Sequence, residues 1–240
     1  MSGILRAAAS DRGLVRELNE DAYLLGERLV AVADGIGGLP AGEVASEIAI
    51  RTLAPLDQDA LGESVVDTLR SAVDDANRQI GEAVAAVSGR EGMGTTLTAL
   101  LFDRDRATLV HIGDSRAYLL RNGNLTQLTR DDTYVQALVD RGAITADEAL
   151  RHPHRSVVTQ ALQGEEVNPT CTVLRTSPGD RFLLCSDGLS DVVDNASIGG
   201  TIREYTDLDD CAAQLIKQAL AAGGPDNVTV VLAEVPVSGT

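Results

Sequence analysis

Two short turns between apolar runs limit this chain more than anything else in its sequence. Asp103-Arg104-Asp105-Arg106 separates a run at 95–102 from one at 107–112, and Asn122-Gly123 separates 116–120 from 125–128. Asn-Gly accepts positive φ readily, so the second pair reads as a tight hairpin, and strands joined this way lie antiparallel. Further β-branched, apolar runs at 29–33, 181–185 and 227–235 also read as strands. Elsewhere the period changes. From Val65 onward, apolar residues fall at 65, 66, 69, 72, 73, 76, 80, 83, 84 and 87, the stripe of a helix lying on a core. Helices are also predicted at 43–53 and 208–220, and Thr145-Ala146-Asp147-Glu148 has the form of a capping box that starts a short one. Hairpins combined with long one-sided helices predict an α+β layered sandwich.

Residues 130–165 carry little strand signal and read as a helical flap inserted in one domain spanning 1–240, with a core at about 9–235 and a short tail after Val235. There are no repeats and no low-complexity linker. With 240 residues, 44% of them hydrophobic, the chain can bury a substantial core. Only 2% are aromatic and Trp is absent, so that core is built from Val, Leu, Ile and Ala, and no base-stacking platform is present. The net charge of −16 repels phosphate backbones and argues against nucleic acid as a partner. Cys171, Cys185 and Cys211 form neither a zinc pattern nor a disulfide framework, which fits a reducing, cytoplasmic setting. The N-terminus lacks a signal-peptide stretch and no run is long enough to span a membrane. The expectation is a soluble chain, either whole or the soluble domain of a longer membrane-anchored protein. No large apolar stripe is apparent, so a monomer is expected.

The aspartates carry the chemical information. Asp34 closes LVAVA and precedes Gly35, Asp114 closes LVHIG, Asp187 follows FLLCS and precedes Gly188, and Asp226 precedes NVTVVLAEV. Any one of these alone is an ordinary turn residue. Four of them, three beside glycine and each flanking a long apolar run, predict carboxylates converging at one end of a sandwich. Converging anions cannot all stay ionised unless something cationic binds them. Hard divalent cations such as Mn²⁺ or Mg²⁺ take oxygen ligands and keep positions for water.

At this point a resemblance becomes specific. The ordered set Gly13-Leu14-Val15-Arg16, Asn19-Glu20-Asp21, Val32-Ala33-Asp34-Gly35-Ile36-Gly37-Gly38, Gly94-Thr95-Thr96, Gly113-Asp114-Ser115-Arg116, Cys185-Ser186-Asp187-Gly188-Leu189 and Gly224-Pro225-Asp226-Asn227-Val228-Thr229 resembles the type 2C, or PPM, protein phosphatases. The likeness is greatest to the catalytic domain of actinobacterial, especially mycobacterial, members and runs from about residue 9 to 235. It implies a four-layer α-β-β-α sandwich of two antiparallel sheets flanked by antiparallel helices. The activity it implies is metal-dependent hydrolysis of phosphoserine and phosphothreonine by a metal-bridging hydroxide, using two or three Mn²⁺ or Mg²⁺ per chain. By the same resemblance Asp34 bridges two metals and the Gly35 carbonyl binds one of them, while Asp187 and Asp226 complete the other. Asp114 with Asp187 would hold a third metal, approached by Ser156 of the flap. Asp21 and Glu20 hold metal-bound water from the outer shell, and Arg16 grips phosphate. The implied partners are phosphorylated proteins, namely serine/threonine kinases and their substrates.

One departure stands out. Bacterial relatives commonly carry Asp-Gly-Met-Gly-Gly-His, whereas this chain has Ile36 and Leu39 in that loop. If that histidine protonates the leaving alkoxide or positions substrate, another group must serve here. His152 and His154 are the flap candidates but read more naturally as surface residues, and His111 reads as core. A cysteine phosphatase would need an arginine six residues after its cysteine, and those positions hold Ser177, Asp191 and Lys217. The Gly35–Gly38 region lacks the Gly-Lys-Ser/Thr of a triphosphate loop. A weakly catalytic or non-catalytic regulatory relative that binds metal and phosphoprotein is the remaining alternative.

Overall fold

The computed structural model describes residues 3–36, 41–58 and 64–237. Its strands are β1 (Leu5–Asp11), β2 (Ala22–Leu25), β3 (Leu29–Ala33), β4 (Gly35–Ile36), β5 (Gly94–Thr95), β6 (Leu97–Asp103), β7 (Arg106–Ile112), β8 (Arg116–Arg121), β9 (Asn124–Gln127), β10 (Thr170–Arg175), β11 (Arg181–Cys185) and β12 (Val228–Glu234). Its α-helices are α1 (Gly42–Leu53), α2 (Val65–Ala86), α3 (Tyr134–Asp140), α4 (Ala146–Ala149), α5 (Asp187–Ser190), α6 (Asn195–Glu204) and α7 (Leu208–Ala221). Two five-stranded sheets form, in the orders β1-β12-β11-β8-β9 and β10-β7-β6-β3-β2, with every pairing antiparallel.

The period-2 geometry of each strand divides its side chains between two cores. In β3, Leu29, Ala31 and Ala33 face helices α1 and α2, whereas Val30 and Val32 face the other sheet. β11 does the same in mirror image, with Leu183 and Cys185 packed toward α5–α7 and Phe182 and Leu184 between the sheets. The result is four layers and three apolar interfaces, the α+β sandwich that the residue pattern predicts. Phe102 of β6 meets Phe182 of β11 edge to face across the central layer, with ring centroids 5.4 Å apart.

The turns behave as their residues dictate. Arg104 and Asn122 take positive φ (55° and 51°) at the tips of the β6–β7 and β8–β9 hairpins. Thr145 and Glu148 form the predicted capping box of α4. The predicted run 95–102 is divided, because Thr95 pairs with β4 and β6 begins only at Leu97. Strands β1, β2 and β10, unpredicted, are edge strands with half-exposed patterns and no continuous apolar run. Helix α6 was equally hidden, since Gly199 and Gly200 lower its helix propensity.

The predicted flap contains α3 and α4 and is tied down at both roots. At its start, Arg116 of β8 grips Asp131 in a bidentate pair (3.0 and 2.7 Å). Buried His111 of β7 joins Thr98 Oγ1 through Nδ1 (2.9 Å) and the Arg130 carbonyl through Nε2 (3.1 Å), a core position as predicted. At its end, Asn77 of α2 accepts from the N–H of Gln163 and Gly164 and donates to the Glu165 carbonyl (3.0, 2.8 and 2.6 Å). No described helix is long and apolar enough to cross a membrane.

The β2–β3 turn that leads into Asp34 is held from outside the sheet. The Asp57 carboxylate, in a 3-10 turn at Ala54–Asp57, accepts from the backbone N–H of Glu27, Arg28 and Leu29 at 2.7–2.9 Å. Burial pushes this carboxyl up, but the three N–H groups outweigh it and hold its pKa below the ordinary value. A depressed folded-state pKa gives stability that is present above the unfolded value and lost as pH falls through the folded one. Asp57→Asn is therefore expected to lower unfolding stability at pH 7 by about 1–2 kcal/mol, discounted for partial exposure. Urea titrations of both proteins should show the gap closing as pH drops below the ordinary carboxylate range, and a gap unchanged by acid would contradict this.

Candidate metal centre

The antiparallel register places the chemistry. β3 ends where β6 begins and β7 ends, since Val32 pairs with Thr98 and Leu97 with Ile112. In the other sheet β11 ends where β12 begins, with Cys185 opposite Val230. Asp34 and Asp114 therefore leave one sheet, and Asp187 and Asp226 flank the other, at the same end of the sandwich. Asp114 lies on the crossing from β7 to β8, which carries the chain from one sheet to the other.

The backbone around Asp34 is fixed by threonines. Its carbonyl accepts from the Thr96 N–H and the Thr95 hydroxyl (both 2.9 Å), and its N–H donates to Thr96 Oγ1 (3.1 Å). Thr96 Oγ1 also bonds Ser115 Oγ at 2.7 Å, so the segments bearing Asp34 and Asp114 are held together. Only glycine fits at position 35, because a Cβ there would come within 2.5 Å of the Gly42 carbonyl and 2.7 Å of the Glu20 carbonyl. A Cβ at Gly188 would lie 1.9 Å from the Asn227 carbonyl, so the turn after Asp187 presses directly on the one after Asp226.

Asn227, whose role the sequence did not reveal, is buried and staples the loop at 12–20. Its Oδ1 accepts from the Glu20 N–H (2.8 Å), and its Nδ2 donates to the carbonyls of Arg12 (2.9 Å) and Leu18 (2.8 Å). That loop carries Arg16, whose Nη2 donates to Asp226 Oδ2 at 2.6 Å. Asp21, the residue that follows that loop, accepts at Oδ2 from Ser186 Oγ at 2.8 Å.

Arg16, Glu20, Asp34, Gly35, Asp114, Ser156, Asp187 and Asp226 all line one cavity of about 400 Å³, and Asp21 stands behind it against Ser186. Two further charged residues join them unpredicted, Arg155 of the flap and Asp191. Asp191 lies one helical turn beyond Asp187, a spacing that could have flagged it. The described lining contains no histidine. The rings of His152, His154 and Tyr134 cluster on the flap away from the cavity lining (centroids 5.7–6.1 Å), and the Gly37–Pro40 segment with Leu39 lies outside the described residues.

The electrostatics follow from the crowding. Burial, then the neighbouring charges of Asp21, Asp187, Asp114 and Asp226, holds the Asp34 carboxyl well above the ordinary range. Burial and then Asp114, Asp191 and Asp226 do the same to Asp187. Both keep an edge open to the cavity, but the protein packed on their other sides dominates. Burial, helped by Asp131 and Asp191, pushes Asp114 to about 7. Asp21 rises to about 6, chiefly by burial, although Thr229 and Ser186 partly offset it. Its Oδ1 is buried with no hydrogen-bond partner among the described residues.

Crowded carboxyls driven toward the neutral form, together with an orphaned buried oxygen, are the features that suit a cation. The donors are all oxygens, which suits Mn²⁺ or Mg²⁺ over softer metals. Among the described residues no three His, Cys, Asp or Glu side chains close into a ready cage for one ion. Such ions keep much of their water and need only one or two carboxylates each, so carboxylates spread around a cavity suit them.

Comparison with known proteins agrees with this geometry. The family model described as protein phosphatase 2C matches residues 15–224. The serine/threonine protein phosphatase PstP of Mycobacterium tuberculosis is 54% identical over 229 residues, which cover 95% of this chain and 44% of PstP. The chain thus spans less than half of that relative's length. The serine/threonine phosphatase stp of Listeria welshimeri is 35% identical over 94% of this chain and 93% of its own. A crystal structure of the PstP catalytic domain in complex with two manganese ions superposes with a TM-score of 0.92 at 51% identity, covering 98% of this chain and 99% of that one.

The raised pKa values fix a pH dependence. A carboxyl whose folded pKa exceeds its unfolded one leaves the folded state holding extra protons, so stability falls as pH rises through that window. For Asp21 and Asp114 the window runs from the ordinary 3.8 to about 6 and about 7. Chelator-treated protein is expected to melt higher at pH 5 than at pH 8. Asp114→Asn should raise the pH 8 midpoint by at least about 2–4 °C, the effect of 1 kcal/mol in a domain of this size. Added Mn²⁺ should stabilise the wild type more at pH 8 than at pH 5 in differential scanning calorimetry. A pH-independent Mn²⁺ effect would mean that these carboxyls do not exchange protons for metal.

Proposed function

The chain belongs to the protein phosphatase 2C family, and from that membership we propose that it hydrolyses phosphoserine and phosphothreonine on proteins with two or three divalent cations, Mn²⁺ or Mg²⁺. The observation that carries this reading is an oxygen-only cluster of mutually repelling carboxylates with a guanidinium at its edge. Asp34 and the Gly35 carbonyl would hold one cation, and Asp34, Asp187 and Asp226 the other. Asp114 and Asp187 would take a third, with Ser156 reaching in from the flap. When bound, the cations supply Lewis acidity, acidifying a coordinated water and offsetting phosphate charge.

The chain's own groups do the rest. Asp34, fixed through Thr95 and Thr96, sets where the attacking water lies relative to phosphorus. Asp21, held by Ser186, accepts a hydrogen bond from water in the outer shell, with Glu20 beside it at the cavity wall. Arg16 uses one nitrogen to hold Asp226 and presents the rest of its fork to phosphoryl oxygens, so charge developing in the transition state meets a preplaced donor. Arg155 adds a second positive charge from the flap. The described lining holds no histidine, so in this reading water or another lining group would protonate the departing serine or threonine oxygen.

The opposing partners in this reading are serine/threonine protein kinases and the proteins they phosphorylate. Three free, separated cysteines suit a reducing cytoplasmic setting.

A phosphothreonine peptide incubated with Mn²⁺, Mg²⁺ or a chelator tests the reading. Phosphate release should require metal and disappear in Asp34→Asn. Arg16→Ala should cost about 10²–10³-fold in kcat/KM, the usual loss for one transition-state donor. Arg16→Lys should recover only part, because an ammonium cannot reproduce the planar fork. Metal binding by calorimetry without hydrolysis of any phosphoester would replace this reading with that of a regulatory metal-binding relative.

A further inference from the structure

Arg16 has unusual neighbours. Leu14, Val15 and Leu18 are 67%, 69% and 53% exposed, so three of the large apolar side chains turned to solvent lie within five residues around it. Single exposed aliphatics are ordinary, but a group of them beside a site marks a contact surface. The backbone beneath is fixed. Leu14 N–H donates to the Gly224 carbonyl (2.8 Å), Asn227 Nδ2 donates to the carbonyls of Arg12 and Leu18 (2.9 and 2.8 Å), and Arg12 Nη1 donates to the Glu17 carbonyl (3.2 Å). The fold therefore holds these side chains outward on a rigid frame, and docking on them costs little ordering entropy.

The lip is continuous with the cavity. Leu14 packs on Gly224, and the next two residues, Pro225 and Asp226, line the cavity with Arg16. Elsewhere on the same mouth, Val157 is 46% exposed between Ser156 and Val158, which both line the cavity. Tyr134, 43% exposed, donates its N–H to the Val157 carbonyl at 2.9 Å. A phosphorylated side chain reaching Arg16 must lay its own neighbours across these surfaces. The net charge of −16, with Glu17 and Glu20 beside Arg16, makes the same approach unfavourable for an acidic neighbour.

We propose that Leu14, Val15 and Leu18 form an apolar docking lip that selects phosphorylated protein segments with an aliphatic or aromatic side chain next to the phospho-residue. This rests on the phosphatase reading and names its substrate class.

The test uses phosphothreonine peptides that differ only in the residue on either side of phosphothreonine, Leu, Gly, Lys or Glu, with p-nitrophenyl phosphate as a substrate too small to reach the lip. Leu-flanked peptides should exceed Gly-flanked ones by about tenfold in kcat/KM, mainly through KM, as expected for half-burying one leucine. Val15→Ser/Leu18→Ser should erase that preference while p-nitrophenyl phosphate turnover stays at the wild-type level, and Val15→Ile/Leu18→Met should keep it. Anisotropy of labelled Leu- and Gly-flanked phosphopeptides reads docking directly. If nothing is hydrolysed, the phosphatase reading fails while anisotropy still decides the lip. Four results would overturn the proposal: an unchanged preference in the serine variant, a preference for Lys over Leu, an equal loss on peptides and p-nitrophenyl phosphate, or a wild-type dimer that the serine variant abolishes without changing selectivity.

Discussion

Repulsion among carboxylates is the constraint around which this molecule is organised. Asp34, Asp114, Asp187 and Asp226 share a cavity with Asp191 and Glu20, and burial denies Asp34, Asp114 and Asp187 the water that would separate their charges. Such a cluster is unfavourable for the bare fold, and only a scaffold with large reserves of apolar burial can hold it in place. The three cores around two sheets provide that reserve. Rigidity matters as much as stability. Thr95, Thr96 and Ser115 lock the loops so that the aspartates cannot relax apart, and the closeness left over is what favours a cation.

The supporting residues divide into two kinds. Some fix backbone, such as Asn227 with its three bonds to the loop at 12–20 and Asp57 with its three to the β2–β3 turn. Others set charge. Arg16 meets Asp226 at the rim, and Arg116 meets Asp131 behind Asp114. Positive charge reaches the cluster from its rim, which reconciles a strongly acidic chain with the anionic substrate proposed for it.

How legible all this was depended on burial. The strands at 29–33 and 181–185 were readable to the residue, because both of their faces are buried and every position but Arg181 is apolar. β1 and β10 have only one well-packed face and mixed composition, so the same reading passed over them. Asp34, Asp114, Asp187 and Asp226 stood out because aspartate ends an apolar run abruptly. Asp191 was passed over because an acidic residue on a helical turn is unremarkable by itself, and only its i, i+4 spacing from Asp187 sets it apart. Asn227 appeared in a motif, yet its work is long-range, across more than 200 residues of chain, and no local pattern encodes that. Arg16 and Ser156 came from resemblance alone, because an arginine in a loop and a serine in a flap have no periodicity to betray them.

The flap's two fixed roots have a consequence for how such a protein diversifies. Arg116 clasps Asp131 at one root and Asn77 clasps residues 163–165 at the other, so neither sheet feels the length of what lies between. Closing a longer loop between fixed ends costs only about 0.6 kcal/mol per doubling. The segment can therefore gain, lose or exchange helices over evolutionary time while the aspartates stay in register. What drifts with the loop is one rim of the cavity, where Arg155 and Ser156 sit, while the aspartates keep their places on the sandwich.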